Sequence, residues 1–378
     1  MKIALLIESF GALGGAENQA AMLAEALAGR GHAVRVFAAS VRGAVDGVEA
    51  TALGVSDHRG FAKAAKAALA GGAFDVVHSF ARTTSQDLLR LGGGVHAEYL
   101  RRMEPSRSRL GRWFSRVNPK EKRILDLERE SFRPESTRVI QAVSDRVRAE
   151  VVRHYKVDPQ RIVVTRNSVD LKRFHPGLRG RRARVLAEMG LPAGAFVVLF
   201  VGSGFRRKGL GRAIESLALL PRDIDAWLVV AGSGGSAAYT RLAKRRQVRA
   251  RFLGARSDID NLYAVADALV LPTLYDPFPN VCLEAMASGV PVIVTEVAGV
   301  SEVITPGTDS FVVPDPGDPL EIASRLSRLL DPRERAAVGH AARVAMEKRP
   351  FGQYVEETLR LYRRIIASKR EDGGMIST

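Results

Sequence analysis

Four residues of this 378-residue chain have the types and spacing for anion and hydroxyl chemistry. Two are carboxylates, Asp276 and Glu284, in "YDPFPNVCLEAMASGVPVIV"; two are adjacent cations, Arg207 and Lys208, in "GSGFRRKG". Pro277 and Pro279 stiffen the loop, so Asp276 is held rather than dangling. Asn280 is expected to cap a helix, which leaves the next backbone N–H groups open to an anion such as phosphate. Glu284 lies one turn further on, close enough to that mouth to accept hydrogen bonds from vicinal hydroxyls, whereas phosphate would repel it. Arg207 and Lys208 fall at the expected start of another helix, where cations are unfavourable unless an anion sits between them. A planar fork beside a point charge suits a diphosphate. Hydroxyls at each end with a diphosphate between describe a nucleotide sugar. The plainer alternatives are a turn followed by an exposed helix for the carboxylates, and two solvated residues in an Arg-rich chain for the cations.

The elements that must position these residues follow an alternation of short apolar runs and helical segments, an α/β pattern with parallel sheets. Strands are expected at Lys2 to Ile7, "AVRVFAA" and "FDVVHSF", with a helix from Ala16 to Ala28 behind the loop "FGALGGAEN" and another from Lys120 to Phe132. "GLRGRRARVLAEMGLPAG" is the best candidate for an interdomain joint. The alternation then restarts with strand "FVVLFVG", helix Gly209 to Leu219, strands "AWLVVAG" and "ARFLG", strand "ALVLP", helix Asn280 to Ser288 and strand "PVIVT". Two similar doubly wound domains are therefore expected: residues 1–178, and residues 185–348, with a last helix at 351–368 returning toward the first. Ligands of such sheets bind outside the carboxyl ends of the strands, so the loops after strands matter most.

Length suits two cores. A single cysteine, Cys282, excludes intrachain disulfides and thiolate metal clusters. "MKIALLIESF" carries no legible export signal and no apolar run approaches a membrane span, so a cytoplasmic chain is expected. The net charge of +16 admits nucleic acid, an anionic membrane surface or an anionic substrate. Nine basic against two acidic residues fall in 101–123, around Trp113 and Phe114. Arg109, Arg112, Trp113, Phe114 and Arg116 would suit a lipid headgroup layer, although a solvated basic face explains the charge equally well. No nucleic-acid module accompanies it.

No dinucleotide fingerprint and no Walker A lysine is present: "FGALGG", "GSGFRR" and "GSGGSA" all fail the spacing. Gly14 and Gly15 suit a close backbone approach to a ligand at a helix start, or a plain strand–helix turn. The strings Asp223/Asp225 and Asp258/Asp260 read as structural, and no metal site is expected.

The stretch "YDPFPNVCLEAMASGVPVIVTEVAGVSEVI" resembles the E-x7-E region of glycosyltransferase family 4, retaining enzymes of the GT-B fold. "GGAEN", "NSVDLKRF", "KG" and "LYAVADALVLP" fall in the family order, and "VGSGFRRKG", "LERESF" and "GGGVHAEYL" resemble the lipopolysaccharide core heptose glucosyltransferase subgroup. Asp276 stands where the family has Glu, Ser203 where it has Arg, and Ser168 where it has Gly. The resemblance implies two Rossmann-like domains facing across a cleft, and transfer of a hexose, glucose from UDP-glucose, to a lipopolysaccharide-core or other lipid-linked acceptor. It implies no cofactor beyond the nucleotide sugar, and a monomer peripheral to the inner face of the cytoplasmic membrane. Glu284 would hold the ribose, and Asp276 with Pro279, Asn280 and Val281 the donor sugar and phosphate. Arg207 and Lys208 would neutralise the diphosphate, with Gly14, Gly15 and Arg173 near it from the first domain. His96 and Glu98 would meet the acceptor. A nucleotide-sugar 2-epimerase or a basic nucleic-acid binder are the competing readings.

Overall fold

The computed structural model describes residues 1–11, 14–104 and 118–375, with the side chains of 16 and 372–375 left aside. The chain divides into two compact units, Met1–Arg166 with Gly352–Thr378, and Asn167–Phe351.

The first unit is built on a seven-stranded sheet of order β3-β2-β1-β4-β5-β6-β7, parallel throughout. Its strands are β1 (Lys2–Phe10), β2 (Ala33–Val41), β3 (Glu49–Ala52), β4 (Val76–Ser79), β5 (Gln86–Leu91), β6 (Thr137–Ala142) and β7 (Ile162–Val164). Strands of a sheet covered on both faces read as continuous apolar runs, and Ile3, Ala4, Leu5 and Leu6 of β1 are all fully buried. Two strands escape that rule. β5 is "QDLLRL" and β6 is "TRVIQA"; the charged residues of β5 are buried with partners, and Arg138 of β6 is exposed. Asp87 accepts from Val77 N and from Lys369 Nζ, while Arg90 stacks on Phe80 and Tyr354. The Phe351–Met375 helix runs past the expected end at 368, and Tyr362 ties it to this unit through His78 Nδ1 at 2.8 Å.

The second unit has six parallel strands of order β10-β9-β8-β11-β12-β13. They are β8 (Phe196–Val201), β9 (Ala226–Ala231), β10 (Arg249–Gly254), β11 (Ala268–Leu271), β12 (Val292–Thr295) and β13 (Phe311–Val313). Winding runs outward from β8 in one direction and from β11 in the other, so the reversal of strand order lies between β8 and β11. That is the topological switch point, where open parallel sheets take ligands.

The Gly- and Arg-rich stretch is not a linker. The units part at Arg166/Asn167, and "PGLRGR" forms a 3-10 turn followed by the Arg182–Glu188 helix. Arg179 and Arg182 reach the buried carboxylate of Asp267 at 2.6 and 2.8 Å, which draws this segment into the second unit. The stretch expected to be a joint is therefore anchored within one unit by Arg179 and Arg182.

Candidate active site

Both loops of the second unit's switch point carry the charged residues singled out from sequence. After β8 the chain passes Gly202, whose φ of 143° and lack of a side chain make room for Lys208; a Cβ there would lie 2.9 Å from Lys208 Cε. Phe205–Lys208 forms one helical turn, closed by Gly209 at φ 81°. A Cβ on Gly209 would stand 2.0 Å from the Pro272 carbonyl, so the loops after β8 and β11 touch backbone to backbone. Leu274 N and Thr273 Oγ1 donate to the Arg207 carbonyl and close that seam.

Arg207 and Lys208 therefore end a turn rather than start a helix, and the anion between them is supplied by the chain. Asp276 Oδ2 lies 2.7 Å from Lys208 Nζ and 3.2 Å from Arg207 NH1, which also donates to the Tyr275 carbonyl. Lys208 and Asp276 are both buried. Burial alone would raise the Asp276 pKa, but the charges and hydrogen bonds of Lys208 and Arg207 outweigh it and hold the carboxyl below its ordinary range. Asp276 is further pinned where its carbonyl accepts from Gly299 N. Two cations against one carboxylate leave one positive charge at the switch point.

The Asn280–Ala287 helix follows, with Pro279 as its cap residue and no side chain capping it. Asn280 does not cap it as expected; its side-chain oxygen accepts from Asn167 Nδ2, which also donates to the Phe278 carbonyl. Val281, in the first turn, is part-exposed. Glu284 accepts from the Tyr263 hydroxyl through Oε2 at 2.8 Å. Its pKa is raised: burial dominates, and the Tyr263 bond and the charge of Arg173 oppose it only in part. Arg173 lies in the second unit, not the first as expected, and its NH2 stands 3.9 Å from Asp260 and donates to the Ser257 carbonyl at 3.4 Å. Cys282 is buried and its thiol is pushed far up, which leaves it inert. Ser203, at the family's Arg position, pairs with Ser233 at 2.8 Å. Asp225, Asp258 and Asp260 are held by Arg249, Arg256 and Arg181 respectively.

In the first unit, Gly14 precedes the Gly15–Ala28 helix, and a Cβ on it would meet the Glu17 carboxylate. The loop residues 12 and 13 lie outside the described residues, as do Arg109, Arg112, Trp113, Phe114 and Arg116. His96 Nε2 contacts Glu121 at 2.6 Å, and burial lowers its pKa despite that bond. Glu98 cannot meet an acceptor in this geometry. It is fully buried and accepts from Arg101, Arg102, Arg153 and His154, so its two oxygens are spoken for. Arg101 and Arg102 lie on its own helix and Arg153 and His154 on another, so only half of this cluster shows in the local sequence. Glu128, within "LERESF", is a second buried hub, accepting from Arg82, Tyr155 and the backbone of His96 and Ala97.

Two family profiles match in tandem: Glycosyltransferase Family 4 over residues 13–173 and Glycosyl transferases group 1 over residues 183–344. The chain belongs to the glycosyltransferases. Lipopolysaccharide glucosyltransferase WaaG of Escherichia coli K12 is 25% identical to this glycosyltransferase over 328 residues, 84% of this chain and 86% of WaaG. Alpha-maltose-1-phosphate synthase of Mycolicibacterium smegmatis is 29% identical over 250 residues, 62% of this chain. The chain thereby spans 65% of that relative, just under two thirds of its length. Among solved structures, WaaG superposes with a TM-score of 0.83 at 24% identity, over 95% of this chain and 99% of WaaG. Anabaena Alr3699/HepE in complex with UDP-glucose gives 0.74 at 19%, over 95% and 100%. At these identities the likeness establishes the fold, which is GT-B.

Proposed function

We propose that this glycosyltransferase is a retaining hexosyltransferase that moves glucose from UDP-glucose to a lipopolysaccharide-core or other lipid-linked glycan at the inner face of the cytoplasmic membrane. The observation that carries the reading is the switch point between β8 and β11. There Arg207 and Lys208 hold one surplus positive charge beside an uncapped helix start, and Glu284 stands one turn along that helix. The match to most of WaaG, named a lipopolysaccharide glucosyltransferase, and the fold shared with a UDP-glucose complex favour the sugar and acceptor class.

In this reading the Pro279–Val281 backbone and the two cations take the diphosphate, and Glu284 takes the ribose hydroxyls. Asp276 sets the two cations and borders the donor sugar. The bond from the anomeric carbon to the phosphate oxygen breaks, the acceptor oxygen bonds to that carbon on the same face, and its proton passes to the departing phosphate. Negative charge on the diphosphate grows as the bond breaks, so cations fixed beforehand by Asp276 stabilise the transition state more than the ground state. Gly14 and Gly15 are proposed to approach the donor from the first unit, with His96 on the acceptor side.

A panel of UDP-, GDP- and ADP-sugars, offered with and without a lipid-linked acceptor, tests the assignment. Acceptor-dependent release of nucleoside diphosphate with a retained anomeric configuration is expected. Conversion of the donor without acceptor would select the epimerase. Replacing Trp113 and the arginines around it should weaken binding to anionic vesicles and leave nucleotide affinity unchanged; unaltered vesicle binding would remove the membrane face from the proposal.

A further inference from the structure

Tyr263 belongs to none of the roles above, yet it touches the residue on which ribose recognition rests. It sits in the Ile259–Val265 helix, almost wholly buried. Its hydroxyl lies 2.8 Å from Glu284 Oε2 and 3.2 Å from the Val281 carbonyl. A phenol has one proton to donate, and the carboxylate is both nearer and charged, so the bond goes to Glu284. Oε1 has no partner among the described residues.

The ring itself cannot drift. Phe174 meets it edge-on with centroids 5.7 Å apart, and Arg173 lies over the other ring of that pair at 5.0 Å. Arg343 NH1 donates to both the Phe174 carbonyl, at 2.9 Å, and the Ala287 carbonyl, at 3.0 Å. The tyrosine's packing partner is thus fastened to the C-terminal end of the helix that carries Glu284.

We propose that Tyr263 is a positioning residue for the donor site: by fixing Glu284 Oε2 it presents Oε1 to the vicinal hydroxyls of a nucleotide ribose. The proposal rests on the reading of Glu284 as the ribose acceptor. A glutamate held by one oxygen loses the rotamer freedom that would otherwise be lost on binding. Burial and the neighbouring Glu284 charge keep the phenol protonated well beyond its ordinary range, so the tether persists across the working pH.

Tyr263→Phe removes one oxygen and keeps the ring against Phe174. Calorimetry with UDP and 2′-deoxy-UDP, and with the ADP and GDP pairs, measures how strongly the ribose is read. The wild type is expected to prefer the ribo form about tenfold, and Tyr263→Phe to lose about threefold or more of that preference, the scale of one hydrogen bond. KM for the donor rises while kcat changes little. Because the Tyr263 bond lowers the Glu284 pKa, its loss moves the acid limb of nucleotide binding to higher pH, which a merely structural hydroxyl would not do. Glu284→Ala abolishes the preference, and adding Tyr263→Phe to it changes nothing further. A wild-type preference and acid limb in Tyr263→Phe, or losses that simply add in the double variant, overturn the role of Tyr263 alone. An intact preference in Glu284→Ala overturns the ribose reading and this proposal with it.

Discussion

Two carboxylates eight residues apart in one loop and helix are treated in opposite ways by the same unit. Asp276 is buried between two cations that hold its pKa down, and Glu284 is half-buried beside a phenol, with a pKa held up by desolvation. The first is paired within the protein and stabilises it. The second carries charge that its surroundings do not repay, which is the condition of a group kept for a ligand. Identical chemistry in the side chains therefore meets two opposite environments, set by what each carboxylate touches.

Lys208→Ala should have the largest effect. On the proposed role it removes a cation beside the departing diphosphate, for which a loss of about 10²–10³ in kcat is expected. It also leaves buried Asp276 with Arg207 alone, and breaking a buried pair costs about 3–5 kcal/mol. Turnover and thermal unfolding together check it, and wild-type turnover would end the role assigned to Lys208. Glu284→Ala should match that loss of turnover without the loss of stability, with circular dichroism unchanged.

Asp276→Asn is expected to unfold earlier at neutral pH. A carboxylate with a depressed folded pKa gives stability that is present above its unfolded value and disappears as pH falls through the folded one. The gap to wild type should therefore close in acid, as melts from about pH 7 to about pH 3 would show. Glu284→Gln should shift stability least and in the other direction. Its raised folded pKa means that stability falls as pH rises past the ordinary glutamate value, so an uncharged amide melts slightly higher at neutral pH and equally in acid. If both variants moved the melt in the same direction, the contrast between the two carboxylates would fail.

Much of the fold was legible because buried parallel strands announce themselves as apolar runs: "FVVLFV" and "ALVL" are fully buried as read. "QDLLRL" was illegible because Asp87 and Arg90 find partners far along the chain, at Lys369 and Tyr354. The candidate site was legible to the level of residue type. Glu284, Lys208 and Arg207 were singled out from their places after strands, but the ion pair with Asp276 depends on two loops meeting at a strand reversal, which no local pattern encodes. Tyr263 was hidden inside an apolar helix, where only the hydroxyl's partner distinguishes it from core. Glu98 misled for the converse reason: a carboxylate after a Gly-rich loop looks available until Arg101 and Arg102 of its own helix and the distant Arg153 and His154 are in place.

The central claim is that Glu284 receives a nucleotide ribose while Asp276 serves the cations. Calorimetric titration of UDP, GDP and ADP into the wild type, Glu284→Ala and Glu284→Gln tests it most directly, since no sugar or acceptor need be known. The account predicts micromolar-range binding of one nucleotide to the wild type and about tenfold or greater weakening in both variants, with the fold intact. Equal affinity in all three proteins would contradict it.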